Sequence, residues 1–511
     1  VKKFFENTPS NQPATGPPEL FEPFSPPRSD RYSDIRPDDG QPPDERFWNW
    51  PLIALSWLVL FGVCGFMFAA ANLLEKPGIK EREASRSDLI QVNLMGRYAV
   101  GAREIAPASV EQLEQSIENL DFGPLEQRFC CAVLIAELSG SEAAHNYLQG
   151  INQLRQELEF VPTQQQQQIE SLLLAAYQGE QLGTAAIEPD QQQLLAERLG
   201  WCGRLASTHF NDPPAQLRES LIRQAKTTTI GLILLGIGGM VIGLAGLVAS
   251  IIFAILVFSG QLRSSFQADR KYGGVYVEAV AVWAVLFVGV SIFSGLAVVK
   301  LGVPEVVLSI GFVLTLVALA WPLARGVSLD ALLDDIGWRL GNPLKEIACA
   351  AVAYLATLPV LAVALVLVTL LLALFGAPAT EHELMPPNNP SHPIQEQILT
   401  SESWLPLVSI LVMACVIAPI VEETVFRGLL YRHLRELSCR CRVWVSIACA
   451  VVVNSLLFAA IHPQGLAAVP LLATLAASFS LVREWRGSLL APMVMHAINN
   501  FVITCLMLFL M

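Results

Sequence analysis

The chain has 511 residues, of which 53% are hydrophobic and 15% charged, with a mean hydropathy of +0.48. A soluble chain of this length would hold about three domains, but several mostly apolar stretches are long enough to cross about 30 Å of hydrocarbon. The sequence therefore predicts an all-α polytopic membrane helix bundle with an inserted soluble helical domain, and the net charge of −12, largely from the tail and the soluble stretch, forms no basic stripe for nucleic acid.

Residues 1–46 carry ten prolines, mixed charges and few aliphatics, the composition of a disordered Pro-rich tail. The first apolar run begins near Phe47, too long and too late for a signal peptide. Residues 47–74 read as a transmembrane helix, opened by Trp48, Trp50 and Trp57 as an interfacial aromatic belt would be. Residues 75–227 then turn polar and Gln-rich. Apolar spacings of three and four, as in Val110, Leu113 and Ile117 or Ile169 and Leu172, predict amphipathic helices packed as a soluble helical domain. Pro162 separates two of them, and no clean repeat near 34 residues emerges. The Gln164–Gln168 run reads as a solvated helix start. Cys130, Cys131 and Cys202 read as small core residues, with a disulfide as the alternative.

Residues 228–511 form a multi-helix membrane domain. Helices are expected near 229–259, 272–299, 303–323, 346–376, 403–437, 443–462, 465–482 and 487–511, which with the first makes about nine transmembrane helices. The 403–437 helix exceeds a bilayer, so its basic half should emerge into water or lie in the interface. Loop charge orients the chain. Arg427, Arg432, Arg435, Arg440 and Arg442, then Arg483 and Arg486, then Arg263, Arg270 and Lys271 mark inside segments, whereas 377–402 has no Lys or Arg. Parity places the N-terminus in the cytoplasm and the 75–227 domain outside, although Lys76, Lys80, Arg82 and Arg86 argue the other way.

Candidate chemistry lies on three apolar segments. Glu422 and Glu423 are adjacent and Arg427 follows Glu423 by one turn, so that pair can form an ion pair. Asn454, Phe458 and His462 fall at four-residue steps on one face, and His496 and Asn500 repeat that step. Ionisable groups at membrane depth are costly and mark functional sites by default. Singly, each has a plainer explanation: a helix–helix salt bridge, a helix-end histidine, or polar glue between helices. A hairpin turning at 438–442 would put Glu422 about 27 Å and His462 about 31 Å from the turn, so they can meet.

Together, Glu422-Glu423-x-x-x-Arg427, Phe458-x-x-x-His462 and His496-x-x-x-Asn500 resemble the CPBP family, the type II CAAX prenyl endopeptidases and their bacteriocin-processing relatives. Arg427-Gly428-Leu429-Leu430 and Gly487-Ser488-Leu489 fit the same phrasing, and the resemblance covers roughly residues 330–511. It implies an intramembrane endopeptidase acting on a membrane-associated or lipid-modified peptide or protein. Glu422 would be the general base with His462 sharing water activation, and His496 and Asn500 would donate to the oxyanion. Glu423 and Arg427 would support them, with Asn454 and Phe458 on the same helix face as His462. Burial would bring the Glu422 carboxyl toward a useful basicity, and donors in a low-dielectric cavity would stabilise an oxyanion. No cofactor is favoured; zinc bound through Glu422, His462 and His496 is the competing mechanism, although no paired-histidine His-Glu-x-x-His helix occurs. The other function classes are a proton-coupled transporter, for which no symmetry between halves appears, and a scaffold whose 75–227 domain recruits an extracytoplasmic partner.

Overall fold

Every regular element among the described residues is helical. The computed structural model describes residues 46–72, 89–107, 110–118, 120–121, 124–157, 160–178, 186–210, 216–266, 268, 270–301, 306–339, 341–375, 404–462 and 468–510. The expected Pro-rich tail lies outside them except for its last residue, Arg46.

Helix α1 (Trp50–Asn72) is apolar on all sides, as a membrane helix must be. Seven short helices follow: α2 (Ile90–Ile105), α3 (Val110–Glu118), α4 (Leu125–Ser139), α5 (Ser141–Glu157), α6 (Gln164–Tyr177), α7 (Pro189–Leu199) and α8 (Trp201–Ala206). They share one core with Phe129, Leu134, Leu173 and Leu205 at its centre. Cys130, Cys131 and Cys202 are free thiols within it. The Gln164–Gln168 run is solvated except at Gln166, which is buried. Gln166 completes a capping box with Thr163 and donates to Glu126 Oε1 at 3.0 Å, tying α6 to α4.

Helix α9 (Leu217–Phe258) begins in that core, through Leu221 and Ala225, and runs on as a 42-residue helix into its apolar stretch. Two contacts fix its base. A Cβ on Gly101 of α2 would come within 2.4 Å of the Ala225 carbonyl, so only glycine allows the approach. Glu137 of α4 accepts both Arg218 guanidinium nitrogens at 2.8 Å, and His209 Nε2 bonds the same carboxylate at 2.8 Å.

The remaining elements are α10 (Gly273–Leu301), α11 (Val306–Leu314), α12 (Ala320–Ala324), α13 (Leu329–Ile336), α14 (Pro343–Phe375), α15 (404–437), α16 (Val443–Ala460), α17 (Val469–Arg486) and α18 (Leu490–Leu510). The bundle is polytopic and helical, and seven of the described helices are long and apolar enough to cross a membrane. That is two fewer than expected, for separate reasons. In the 303–323 segment residues 303–305 lie outside the described residues, and the apolar helix Ile310–Ala324, which contains a 3₁₀ stretch at Thr315–Leu319, is shorter than a full span. It nevertheless returns along α10: Gly311 abuts Val290, Trp283 Nε1 donates to Thr315 Oγ1, and Trp321 Nε1 donates to Glu278. The other, α17, ends in Arg483-Glu484-Trp485-Arg486 and is too charged for its length.

The basic half of α15 does not emerge into water. Tyr431 to Glu436 are all buried. Arg432 pairs with Asp335 and Glu436, while Glu484 of α17 receives Arg435 and the Tyr431 hydroxyl. Glu436 also accepts the backbone N–H groups of Lys271 and Gly273. Acids from α13, α15 and α17 thus meet these arginines and make burial tolerable, since paired and hydrogen-bonded charge costs far less than lone charge.

Candidate active site

Helix α15 carries the acidic pair through two local irregularities. Met413–Ile417 and Thr424–Leu430 are π-helical, with the Ala418 N–H reaching back to Met413 O and the Tyr431 N–H to Phe426 O. Such wide turns re-aim side chains and occur mostly at functional sites. Glu422 and Glu423, between them, leave the helix about 100° apart and so address different partners.

Glu422 faces two imidazoles. Its Oε2 stands 3.8 Å from His462 Nε2 and 3.8 Å from His496 Nε2, and it lies buried with no direct hydrogen-bond partner in the protein. Helix α16 ends level with Glu422, so His462, just past its C-terminus, meets the middle of α15. The His462 ring is fixed from behind: its Nδ1 lies 2.6 Å from the Phe458 carbonyl. A carbonyl only accepts, so Nδ1 carries the hydrogen and neutral His462 turns a lone pair on Nε2 toward Glu422.

Glu423 is fully buried and faces Arg427 and His496 instead. Its Oε1 accepts from Arg427 Nη1 at 3.0 Å and from His496 Nδ1 at 2.9 Å. His496 therefore bridges the two glutamates, one ring nitrogen to each. Arg427 also donates to Ala476 O on α17 at 3.1 Å. Its guanidinium lies 4.5 Å from the Phe458 ring centroid and 5.2 Å from that of Phe479, and Phe479 stacks on His496 at 5.2 Å.

The two expected amides sit differently. Asn500 donates to the Ala414 carbonyl at 2.7 Å, two turns before Glu422 on α15. Asn454 donates to Ser480 Oγ of α17 at 3.0 Å, so its bond ties α16 to α17 and goes to none of the acid or imidazole groups.

All eight of these residues fall within 403–502, the segment that matches the family model for Rce1-like proteins, described as type II CAAX prenyl endopeptidase Rce1-like. This chain carries an Rce1-like domain. Residues 403–502 are thus similar to type II CAAX prenyl endopeptidases, in a chain with seven described helices long and apolar enough to cross a membrane. No curated protein and no solved structure matches the chain. The matched segment comprises α15 to α17 and the first part of α18; α13 and α14 pack on the Rce1-like domain from outside it, with Ile336 of α13 against Gly428 and Trp338 Nε1 donating to Thr424 at 3.1 Å.

Spacing within single helices missed several partners. Glu423 holds His496 as well as Arg427, Phe479 backs the imidazole, and Asn499 bonds its neighbour Asn500 at 3.2 Å. The Asn499-Asn500 doublet was the one signal in the sequence for the last of these. As for zinc, among the described residues no three His, Cys, Asp or Glu side chains are placed to hold one ion.

Proposed function

We propose that this chain is an intramembrane endopeptidase in which Glu422 and His462 together activate the hydrolytic water. The 3.8 Å separation of Glu422 Oε2 from His462 Nε2 carries this reading. It is too long for a direct hydrogen bond and suits one water donating a proton to each. The carboxylate is the general base, and the imidazole, its Nε2 lone pair aimed inward, shares the load. His496, anchored through Nδ1 by Glu423, donates from Nε2 in its imidazolium form to the oxyanion that develops on the scissile carbonyl. The second N–H of Asn500 is the other donor. Preorganised donors in a water-poor cavity need no reorganisation as charge develops, which is where most of the rate gain arises. Arg427 and Glu423 hold the imidazole, Phe458 supplies the carbonyl that sets the His462 tautomer, and Asn454 fixes α16 on α17.

The substrate is a membrane-associated or lipid-modified peptide or protein, because the acid lies fifteen residues from either end of the Leu407–Leu437 span. The protein sits in the cell membrane with its N-terminus in the cytoplasm and the 75–227 domain outside, where it could bind an extracytoplasmic partner. Support comes from the two ends of the bundle. Arg263, Lys271, Arg440 and Arg442 are exposed at one end, where Arg325 also donates to the Arg46 carbonyl ahead of α1. The soluble helices join α9 at the other, where Gly231 packs on Phe509 near the end of α18.

The test is cleavage of a farnesylated peptide with a C-terminal CAAX sequence, and of the native membrane peptidome, by protein in nanodiscs. Glu422→Ala and His462→Ala should each abolish it. Unchanged cleavage by both variants rejects the protease.

A further inference from the structure

One carbonyl on α15 has lost its backbone donor, and the sequence explains why. In a regular α-helix the Ala414 carbonyl would receive the N–H of residue 418. Here the Ala418 N–H reaches Met413 O, in the wide π-helical register. The wide register would offer Ala414 the N–H of residue 419 instead, but that residue is Pro419, which has none. Ala414 is buried, so its carbonyl needs a partner from elsewhere. That partner is Asn500 Nδ2 at 2.7 Å.

This acceptor sets the direction of a whole chain of amides. A carbonyl cannot donate, so Asn500 must turn its NH₂ group toward Ala414 and its oxygen away. Asn500 Oδ1 then accepts from Asn499 Nδ2 at 3.2 Å, which forces the Asn499 oxygen outward in turn. That oxygen accepts from the hydroxyl of Tyr354, on α14, at 3.4 Å. Tyr354 and Asn499 are both buried, so water does not compete freely for these groups. The three bonds from Tyr354 through Asn499 and Asn500 to Ala414 all point one way, and one Nδ2 hydrogen of Asn500, like one of Asn499, is left over.

We propose that Asn499 and Tyr354 are positioning residues which, with the carbonyl freed by Pro419, lock the Asn500 side-chain amide with one N–H presented to the reaction. The inference rests on the protease reading for its consequence, but the lock itself is a property of the resting protein. It also gives α14 a part in the site, although α14 lies outside the matched domain.

The experiment pairs kinetics with amide exchange in full-length protein in nanodiscs, using the farnesylated CAAX peptide as probe. Removing Asn500 as Asn500→Ala should lower kcat about 10²- to 10³-fold, the usual cost of an oxyanion donor. Asn499→Leu, which keeps the shape, should lower kcat about tenfold with KM little changed, as outer-shell losses do. Tyr354→Phe should fall between Asn499→Leu and wild type. Pro419→Ala restores a backbone N–H that competes for Ala414 and should also lower kcat. In an Asn500→Ala background, Asn499→Leu and Tyr354→Phe should cost nothing further; additive losses overturn the proposal. Selective ¹⁵N-Asn labelling gives the second readout. Asn500 should show two distinct δ-amide protons in wild type, the one bonded to Ala414 exchanging slowly, and faster exchange of that proton in Tyr354→Phe, Asn499→Leu and Pro419→Ala. Equal exchange in all four overturns the lock whatever the activity. Absence of cleavage by wild type counts against the protease on this probe and leaves the lock to be decided by exchange.

Discussion

Glu423 and His496 are joined by a 2.9 Å hydrogen bond between Oε1 and Nδ1, across the packing of α15 on α18. The same carboxylate oxygen is 3.0 Å from Arg427. One buried acid therefore settles both the charge of an arginine and the orientation of an imidazole.

Glu423→Gln is expected to separate these duties. The amide keeps the shape and can still accept from His496 or Arg427, but it no longer carries charge to anchor both. Turnover should fall about 10- to 100-fold, the usual effect of losing an outer-shell orienting group, with KM moving less. A larger rise in KM than fall in kcat, measured on the farnesylated peptide, would show that Glu423 serves binding and not imidazole placement.

Arg427 should matter first for stability. It is fully buried with Glu423 at full burial beside it. Arg427→Met removes one partner and strands the other, which costs about 3–5 kcal/mol for a buried pair. Arg427→Met combined with Glu423→Leu removes both and should recover most of that loss, since apolar replacement of an entire buried pair is often neutral. Thermal unfolding in detergent checks this; a double variant no better than the single would place the cost in packing on Phe458 and Phe479.

What the sequence made legible follows from which interactions are local. Glu423 with Arg427, and His496 with Asn500, are one turn apart, and helix geometry alone puts each pair on a common face. The meeting of Glu422 with His462 followed from hairpin arithmetic, because the turn at 438–442 is short. Contacts that need a third helix were hidden. Nothing in Arg432 or Arg435 announces that Asp335 and Glu484 will meet them, so the basic half of α15 was expected in water or at the interface where it is buried. The same limit applied to Asn454, whose partner is Ser480 on the next helix. The 303–323 run read as apolar throughout, and hydropathy does not register the 3₁₀ stretch within it, where Trp283 donates to Thr315 and Thr315 to the Phe312 carbonyl.

The anchor of the soluble helices should be acid-sensitive. Burial raises the Glu137 carboxyl, but hydrogen bonds from His209 and Arg218 outweigh it and hold it down at about 2, against an ordinary 4.5. A carboxyl lowered by folding adds stability that is full above its unfolded value and disappears as pH falls through its folded one. The window is thus roughly pH 4.5 down to 2. With Arg218 half exposed, the contribution is on the order of 1–2 kcal/mol. Hydrogen exchange of α4 and the start of α9, taken relative to the intrinsic amide rate, should rise between pH 5 and 3 in wild type and be pH-independent there in Glu137→Gln. The same rise in both proteins would assign the effect to other acids.

Orientation has a direct readout in the native cysteines. Cys441 is exposed beside Arg440 and Arg442 at the basic end of the bundle. A membrane-impermeant maleimide should reach it only in inside-out vesicles. A cysteine placed at exposed Asp190 of α7, as Asp190→Cys, should react only in right-side-out ones. Reaction of both from one side would place the soluble helices with the arginines and discard the parity argument.

Metal dependence is the last prediction, and it turns on how the two imidazoles are held. His462 is anchored by the Phe458 carbonyl and His496 by Glu423, each through Nδ1, and each presents Nε2 to one oxygen of Glu422. Such backing carboxyl and carbonyl groups are what a zinc ligand would want as well, so anchoring alone does not separate the mechanisms. The distinction lies in what the carboxylate does. A ligand carboxylate is consumed by the ion, whereas a general base must stay free to take a proton from water and return it to the leaving amine. Purified protein is therefore expected to keep full turnover after dialysis against phenanthroline, and to contain zinc far below one ion per chain by mass spectrometry. Stoichiometric zinc that disappears in Glu422→Ala, His462→Ala and His496→Ala, with activity restored only by zinc, would transfer water activation from the carboxylate to the metal.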